Sequence, residues 1–163
     1  MTKRPFVLLL AIATGVNMLW AGAVTFRVLI DIPARDQLGP LGFAELSRAT
    51  DLARGLVFYP VAAIGSASLA SAAWLLAARA RAPRLVRVQT AAAAMACALV
   101  LVVTAWAAPT MFRIGASVDP TMLTRLADRF ALLTDVRAVF ADLGALALLC
   151  ALSSIALRAA GTE

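Results

Sequence analysis

Three features of the sequence predict an all-α fold: an integral membrane four-helix bundle, with helical extensions capping its outer, non-cytoplasmic side. The chain is 63% hydrophobic, with a mean hydropathy of +0.90, well above the apolar content of a soluble domain. Four apolar runs, at about residues 6–30, 55–78, 85–108 and 136–157, each reach the roughly 20 residues that a bilayer crossing takes. Charge is also sorted by side. Lys3, Arg4, Arg79, Arg81, Arg84, Arg87 and Arg158 fall on one side, opposed only by Glu163, whereas the other side holds eight basic and eight acidic residues. Basic loops stay cytoplasmic, so both termini are expected inside a cell inner or plasma membrane. The formal net charge of +6 is then a topology signal and not a nucleic-acid patch. Residues 1–163 read as a single membrane domain, since the four runs leave no room for a second.

In the first run, Asn17, Trp20, Val24, Arg27 and Asp31 follow one another at spacings of 3, 4, 3 and 4, which puts them on one helical face. Arg27 and Asp31 are an i,i+4 pair, able to neutralise each other near the membrane surface. Asn17 lies mid-span, where a buried amide needs partners from another helix or a bound ligand. The run continues past the small residues Ala21-Gly22-Ala23 to Ile30, longer than the apolar core of a cleaved leader.

Pro33 to Pro40 reads as a turn-rich link closed by Gly39-Pro40. An amphipathic extension follows at about 43–54 and is expected to run unbroken into the second span. Asp51 and Arg54 stand at i,i+3 near its start, and Gly55 and Tyr59 extend the Asp51 side. Pro60 leaves the carbonyl of Leu56 without its helical donor. The run GSASLASAA, Gly65 to Ala73, offers a small-residue surface for close helix packing.

The basic link Ala78 to Arg87, interrupted by Pro83, reads as a turn against anionic headgroups. The third span has few polar atoms and is expected to be a structural wall, with Trp106 as an interfacial anchor. After Pro109 a second external segment is expected. Asp119-Pro120 then starts an amphipathic extension at about 121–135, with the acid at the cap and proline at the first helical position.

The fourth span carries the densest charge. Asp128, Asp135 and Asp142 are seven residues apart and share a helical face. A charge in hydrocarbon costs on the order of 2.5–3.5 kcal/mol on insertion scales, so it persists only where something compensates it. The stripe is therefore expected to form one wall of a polar pocket, with Asp142 deepest.

Composition narrows the chemistry. There is no histidine, so histidine-ligated haem, zinc or copper is excluded, as is a histidine-based nucleophile system. Cys97 and Cys150 lie inside spans and read as small core residues. The single lysine is Lys3, outside the spans, and no glycine-rich phosphate loop is present. No metal and no cofactor are expected. What remains is Asp, Arg, Asn and Tyr in the outer halves of the first, second and fourth spans. An aspartate can act as general base, an arginine can stabilise a developing oxyanion, and Tyr or Asn can donate hydrogen bonds. The expected catalytic set is Asp142 with Asp51 as its complement and Arg137 and Arg54 as charge stabilisers. Asn17, Trp20, Tyr59, Asp31, Asp135 and Arg27 are the expected substrate contacts. The bland alternative is a salt-bridge network that holds the external helices together; Asp36, Glu45, Arg35 and Arg48 are expected to be merely solvated.

Three stretches carry a family likeness: AGAVTFRVLIDIPA (Ala21 to Ala34), DLARGLVFYPVAAIG (Asp51 to Gly65) and RFALLTDVRAVFADLGAL (Arg129 to Leu146). On these the chain resembles the small four-span anthrone-oxygenase-like membrane proteins. Phe130 and Thr134 stand at that family's aromatic and asparagine positions, and Arg137 keeps its arginine. The absence of histidine and the extra acid Asp142 depart from its pattern. The resemblance implies an enzyme that acts without metal or flavin on a lipophilic, often aromatic or polyketide-like substrate. The residues themselves allow oxygenation, epoxide hydrolysis or isomerisation alike. The alternatives are a non-catalytic lipid-binding or transport subunit with a structural Asp/Arg network, or a proton-coupled transporter that would need to form a homo-oligomer. The expected partners are a lipophilic small molecule and membrane lipids.

Overall fold

Hydrocarbon offers no hydrogen bonds to the backbone, so long apolar segments satisfy their own amides as helices. The computed structural model describes residues 3–160. These form α1 (Lys3–Phe26), a π-helical turn (Arg27–Asp31), α2 (Ile32–Thr50), α3 (Gly55–Arg79), α4 (Arg84–Ala116) and α5 (Pro120–Ala160), with no strand among the described residues. Four helical segments are long and apolar enough to cross a membrane. They pack as a ring in which α1 neighbours α3 and α5, and α4 neighbours the same two.

Small residues set the spacing of that ring. The inward face of α3 is Ala63, Ser66, Ala67, Ala70, Ala73 and Ala77, the packing surface expected from GSASLASAA. At Gly144 of α5 an added Cβ would lie 3.3 Å from the Cys97 sulfur and 3.5 Å from the Ala96 Cβ, so α4 and α5 meet here at van der Waals contact. Larger side chains (Phe6, Leu10, Val86, Leu148) fill the core towards the Arg79–Arg84 end. The opposite end is closed by α2, whose Phe43 and Ala44 pack on Met111 and Ile114 of α4 and on Leu123 and Phe130 of α5.

Several boundaries differ from expectation. The first helix does not stop at a link near Pro33. It continues through the wide turn into α2, which bends at Gly39, where φ is +70°, a conformation that favours glycine. The extension starts at Ile32 rather than about 43, and it does not run unbroken into the second span, because residues 51–54 form a turn. Nor does α4 end at Ala108. It carries Pro109 internally and continues to Ala116, since one lost amide bond is tolerated where neighbouring helices support the segment. The start of α5 is as expected: the Thr121 amide donates to Asp119 Oδ1 at 3.0 Å and the Leu123 amide to the Asp119 carbonyl at 2.9 Å.

Two arginines expected to be solvated are instead fastened at this end. Arg48 donates from Nε to the Gly115 carbonyl at 2.8 Å and from its guanidinium to Ser117 at 3.3 Å, covering orphan carbonyls at the α4 C-terminus. Arg35 pairs with Asp128 at 2.9 Å, tying α2 to α5.

A candidate charged cavity beneath α2

The π-helical turn determines where the site lies. The Ile32 amide donates to the Arg27 carbonyl, an i to i+5 bond that widens one turn of helix. Arg27 is thereby buried, at 4% exposure, inside the ring. Its partner is not Asp31, as the i,i+4 spacing predicts, but Asp51 of the turn between α2 and α3. The two guanidinium nitrogens reach the two carboxylate oxygens, one at 2.6 Å, in a bidentate pair that is itself buried. Asp31 is half-buried beside a smaller hollow of about 80 Å3 under α2, which Arg27, Asp51 and Tyr59 also line.

Aromatic rings complete the setting of Arg27. Its guanidinium carbon lies 5.1 Å from the Tyr59 ring centroid and 5.0 Å from that of Phe130, within cation–π range of both. Tyr59 folds back over Gly55, where an added Cβ would fall 2.9 Å from the ring, so only glycine leaves it that space. Trp20 supports the other side of Tyr59 edge-on, with centroids 6.1 Å apart.

Arg27, Asp51, Tyr59 and Phe130 form one wall of a cavity of about 220 Å3. Arg137 of α5 joins the same wall, buried at 4% exposure, with its guanidinium carbon 6.0 Å from the Tyr59 centroid. Unlike Arg27 it has no carboxylate within ion-pair distance among the described residues; its buried Nε, like that of Arg27, has no hydrogen-bond partner. The opposite side is a mouth between α3 and α4, framed by the exposed residues Leu56, Pro60, Ala108 and Phe112. It faces sideways, out of the apolar flank of the bundle. Among the described residues no group of three or more His, Cys, Asp or Glu is placed to hold a metal ion.

The expected site residues are thus divided. Asp51, Arg137, Tyr59 and Arg27 converge on the cavity, and Asp31 borders the smaller hollow behind it. Asp142 lies outside: it is exposed on α5 and accepts a bond from the Thr25 hydroxyl, 3.1 Å from each carboxylate oxygen. Asp135 is exposed on the same flank. The acidic stripe does share a face, but it is the outward one. The inward face runs through Phe130, Arg137 and Gly144, also at seven-residue steps. Arg54 points outward from the start of α3 and pairs with no acid among the described residues. Asn17 is buried away from the cavity and satisfied by protein. Its amide donates to the Ala13 carbonyl at 2.9 Å and the Ser66 carbonyl at 3.4 Å, and its oxygen accepts from Cys97 at 3.1 Å. Trp20 acts through Tyr59 rather than by lining the space.

The reading from residues alone gave Phe130 no site role. With the pocket set between the first, second and fourth spans and open towards the outer leaflet, it took the third span for a wall, whereas Ala107, Met111 and Phe112 of that helix line the cavity. The signal for Phe130 was present: from Phe130 to Gly144, the residues Thr134, Arg137, Ala138 and Ala141 keep helical spacing and lack bulk, as a helix-facing stripe must. Comparison with family models, with curated proteins and with solved structures finds no match to this chain.

Proposed function

We propose that this protein is a membrane-embedded enzyme performing cofactor-independent acid/base chemistry on a small lipophilic substrate in the cavity beneath α2. The observation that carries the reading is the convergence of Asp51, Tyr59 and Arg137 on one laterally open space. A substrate dissolved in the bilayer enters between Leu56, Pro60, Ala108 and Phe112 without crossing water. Asp51, oriented by its bidentate bond to Arg27, keeps lone pairs for a substrate proton. Arg137 stands where a developing oxyanion needs a fixed cation, and the Tyr59 hydroxyl supplies a donor. Isomerisation of a β,γ-unsaturated ketone uses these parts most directly: a proton leaves the carbon between the carbonyl and the double bond for Asp51, the dienolate oxygen is held by Arg137 and Tyr59, and the proton returns at the far carbon as the double bond shifts into conjugation. Epoxide opening by water and oxygenation, to which the anthrone-oxygenase-like resemblance points, would use the same three groups. The basic Arg79–Arg87 link supports a cytoplasmic location for the termini and an inner-membrane setting with the cavity in the outer half.

One feature favours a non-catalytic alternative. Arg27 and Asp51 pair through two bonds, and two rings flank Arg27, the geometry of a staple between the end of the first span and the start of the second. Isotope exchange separates the readings. Purified protein is incubated in deuterated buffer with a panel of lipophilic ketones, and deuterium uptake beside the carbonyl is followed by mass spectrometry. The enzyme reading expects uptake that falls on the order of 10²–10⁴-fold in Asp51→Asn. Uptake equal in that variant, or none with any ketone, removes it.

A further inference from the structure

The cavity holds two guanidinium groups and one carboxylate, and the charge of that carboxylate is matched by Arg27. Arg27 uses both oxygens of Asp51. Arg137 is left with a like charge, Arg27, among its nearest electrostatic neighbours, besides the Tyr59 ring and the occupied Asp51. Asp31 does not supply the missing charge: it does not line this cavity and makes no ion pair with Arg137. Guanidinium stays protonated in proteins, so Arg137 is a buried cation without an anion. Such a group is costly in an apolar surround unless something neutralises it. The cavity it faces is otherwise walled by Leu52, Leu56, Met111, Phe112 and Phe130 and opens on the bundle's apolar flank.

Size adds a second constraint. About 220 Å3 falls below the roughly 300–1,000 Å3 of sites that enclose a drug-sized molecule. The occupant is therefore one whose head fits inside while its apolar remainder passes out between α3 and α4.

We propose that the cavity binds a monoanionic amphiphile, its oxyanion head accepted by Arg137 and its apolar body leaving through the lateral mouth. This goes beyond the reading above and rests on it only for the shared cavity and the placement of Arg137. The head chemistry is a carboxylate or a phosphodiester: a free lipophilic acid and an anionic phospholipid both present it.

The test is binding rather than turnover, so its failure is distinguishable from failure of the enzyme reading. Protein in a neutral maltoside detergent is titrated with decanoate, decanol or decyltrimethylammonium, and melting temperature is followed. Decanoate is expected to raise it saturably and the other two are not. In Arg137→Gln the apparent affinity for decanoate falls on the order of ten- to a hundredfold, as for loss of a hydrogen bond to a charged group. Ala108→Trp, which adds bulk at the exposed rim without touching the core, weakens decanoate binding as well and serves if Arg137→Gln fails to fold. Reconstitution into phosphatidylglycerol or phosphatidylcholine nanodiscs separates the two sources. If phosphatidylglycerol alone stabilises the wild type and abolishes the decanoate response, the head is a lipid's; if decanoate acts equally in both, it is a free acid. Equal stabilisation by decanol, or a decanoate response unchanged in both variants, overturns the proposal. Isotope exchange lost with anion selectivity intact removes the enzyme reading alone.

Discussion

Two buried polar clusters occupy the same bundle, and they are finished differently. Around Asn17, both amide hydrogens and the carbonyl oxygen are taken up by Ala13, Ser66 and Cys97, so that α1, α3 and α4 are joined by a closed set of bonds. Around Tyr59, Arg27 has a carboxylate partner in Asp51 but Arg137 beside it has none among the described residues, and the space it faces is open. In an apolar solvent an unsatisfied group is expensive. Closure marks a structural joint, and an unclosed cation on a cavity marks a place kept for something else.

The largest test of this contrast removes the anion of the closed pair. Asp51→Ala leaves Arg27 buried without its counterion and is expected to cost about 3–5 kcal/mol, read as a fall in melting temperature or denaturant midpoint in detergent. The next test has the opposite sign. Arg137→Met removes a buried charge that has no ion-pair partner among the described residues, and it is expected to stabilise the ligand-free protein by about 1–3 kcal/mol while abolishing decanoate binding. A destabilised Arg137→Met would show that the bundle itself satisfies this arginine. The smallest effect is expected at the closed cluster: Asn17→Ala should lower stability by about 1 kcal/mol and leave the decanoate titration unchanged.

Helix existence was legible because it follows from apolar length and helical spacing, and the α5 start because Asp119-Pro120 is a local signal. The ends of α2 and α4 were not, since a proline at position 109 or a bend at Gly39 interrupts a pattern without ending a helix that its neighbours support. The site was half legible. Tyr59 follows Asp51 at a spacing that survives the intervening turn, and Arg137 is a charge in an apolar run that needs a reason. Asp142 misled because periodicity says which residues share a face and not which way that face turns. Its cost is met locally by the Thr25 hydroxyl. Arg27 was assigned to Asp31 because the spacing assumed an ordinary helix, and nothing in RVLID declares a wide turn.

That wide turn has a consequence for how the chain tolerates change in length. It accommodates one residue more than regular winding would. Deleting a single residue between Arg27 and Asp31 would let the segment relax to an ordinary helix. Each residue in such a helix turns the chain by about 100°, so everything from Ile32 to Gly39 would swing round, carrying Arg35 away from Asp128. The lid over the charged hollow thus depends on a register that one codon would reset.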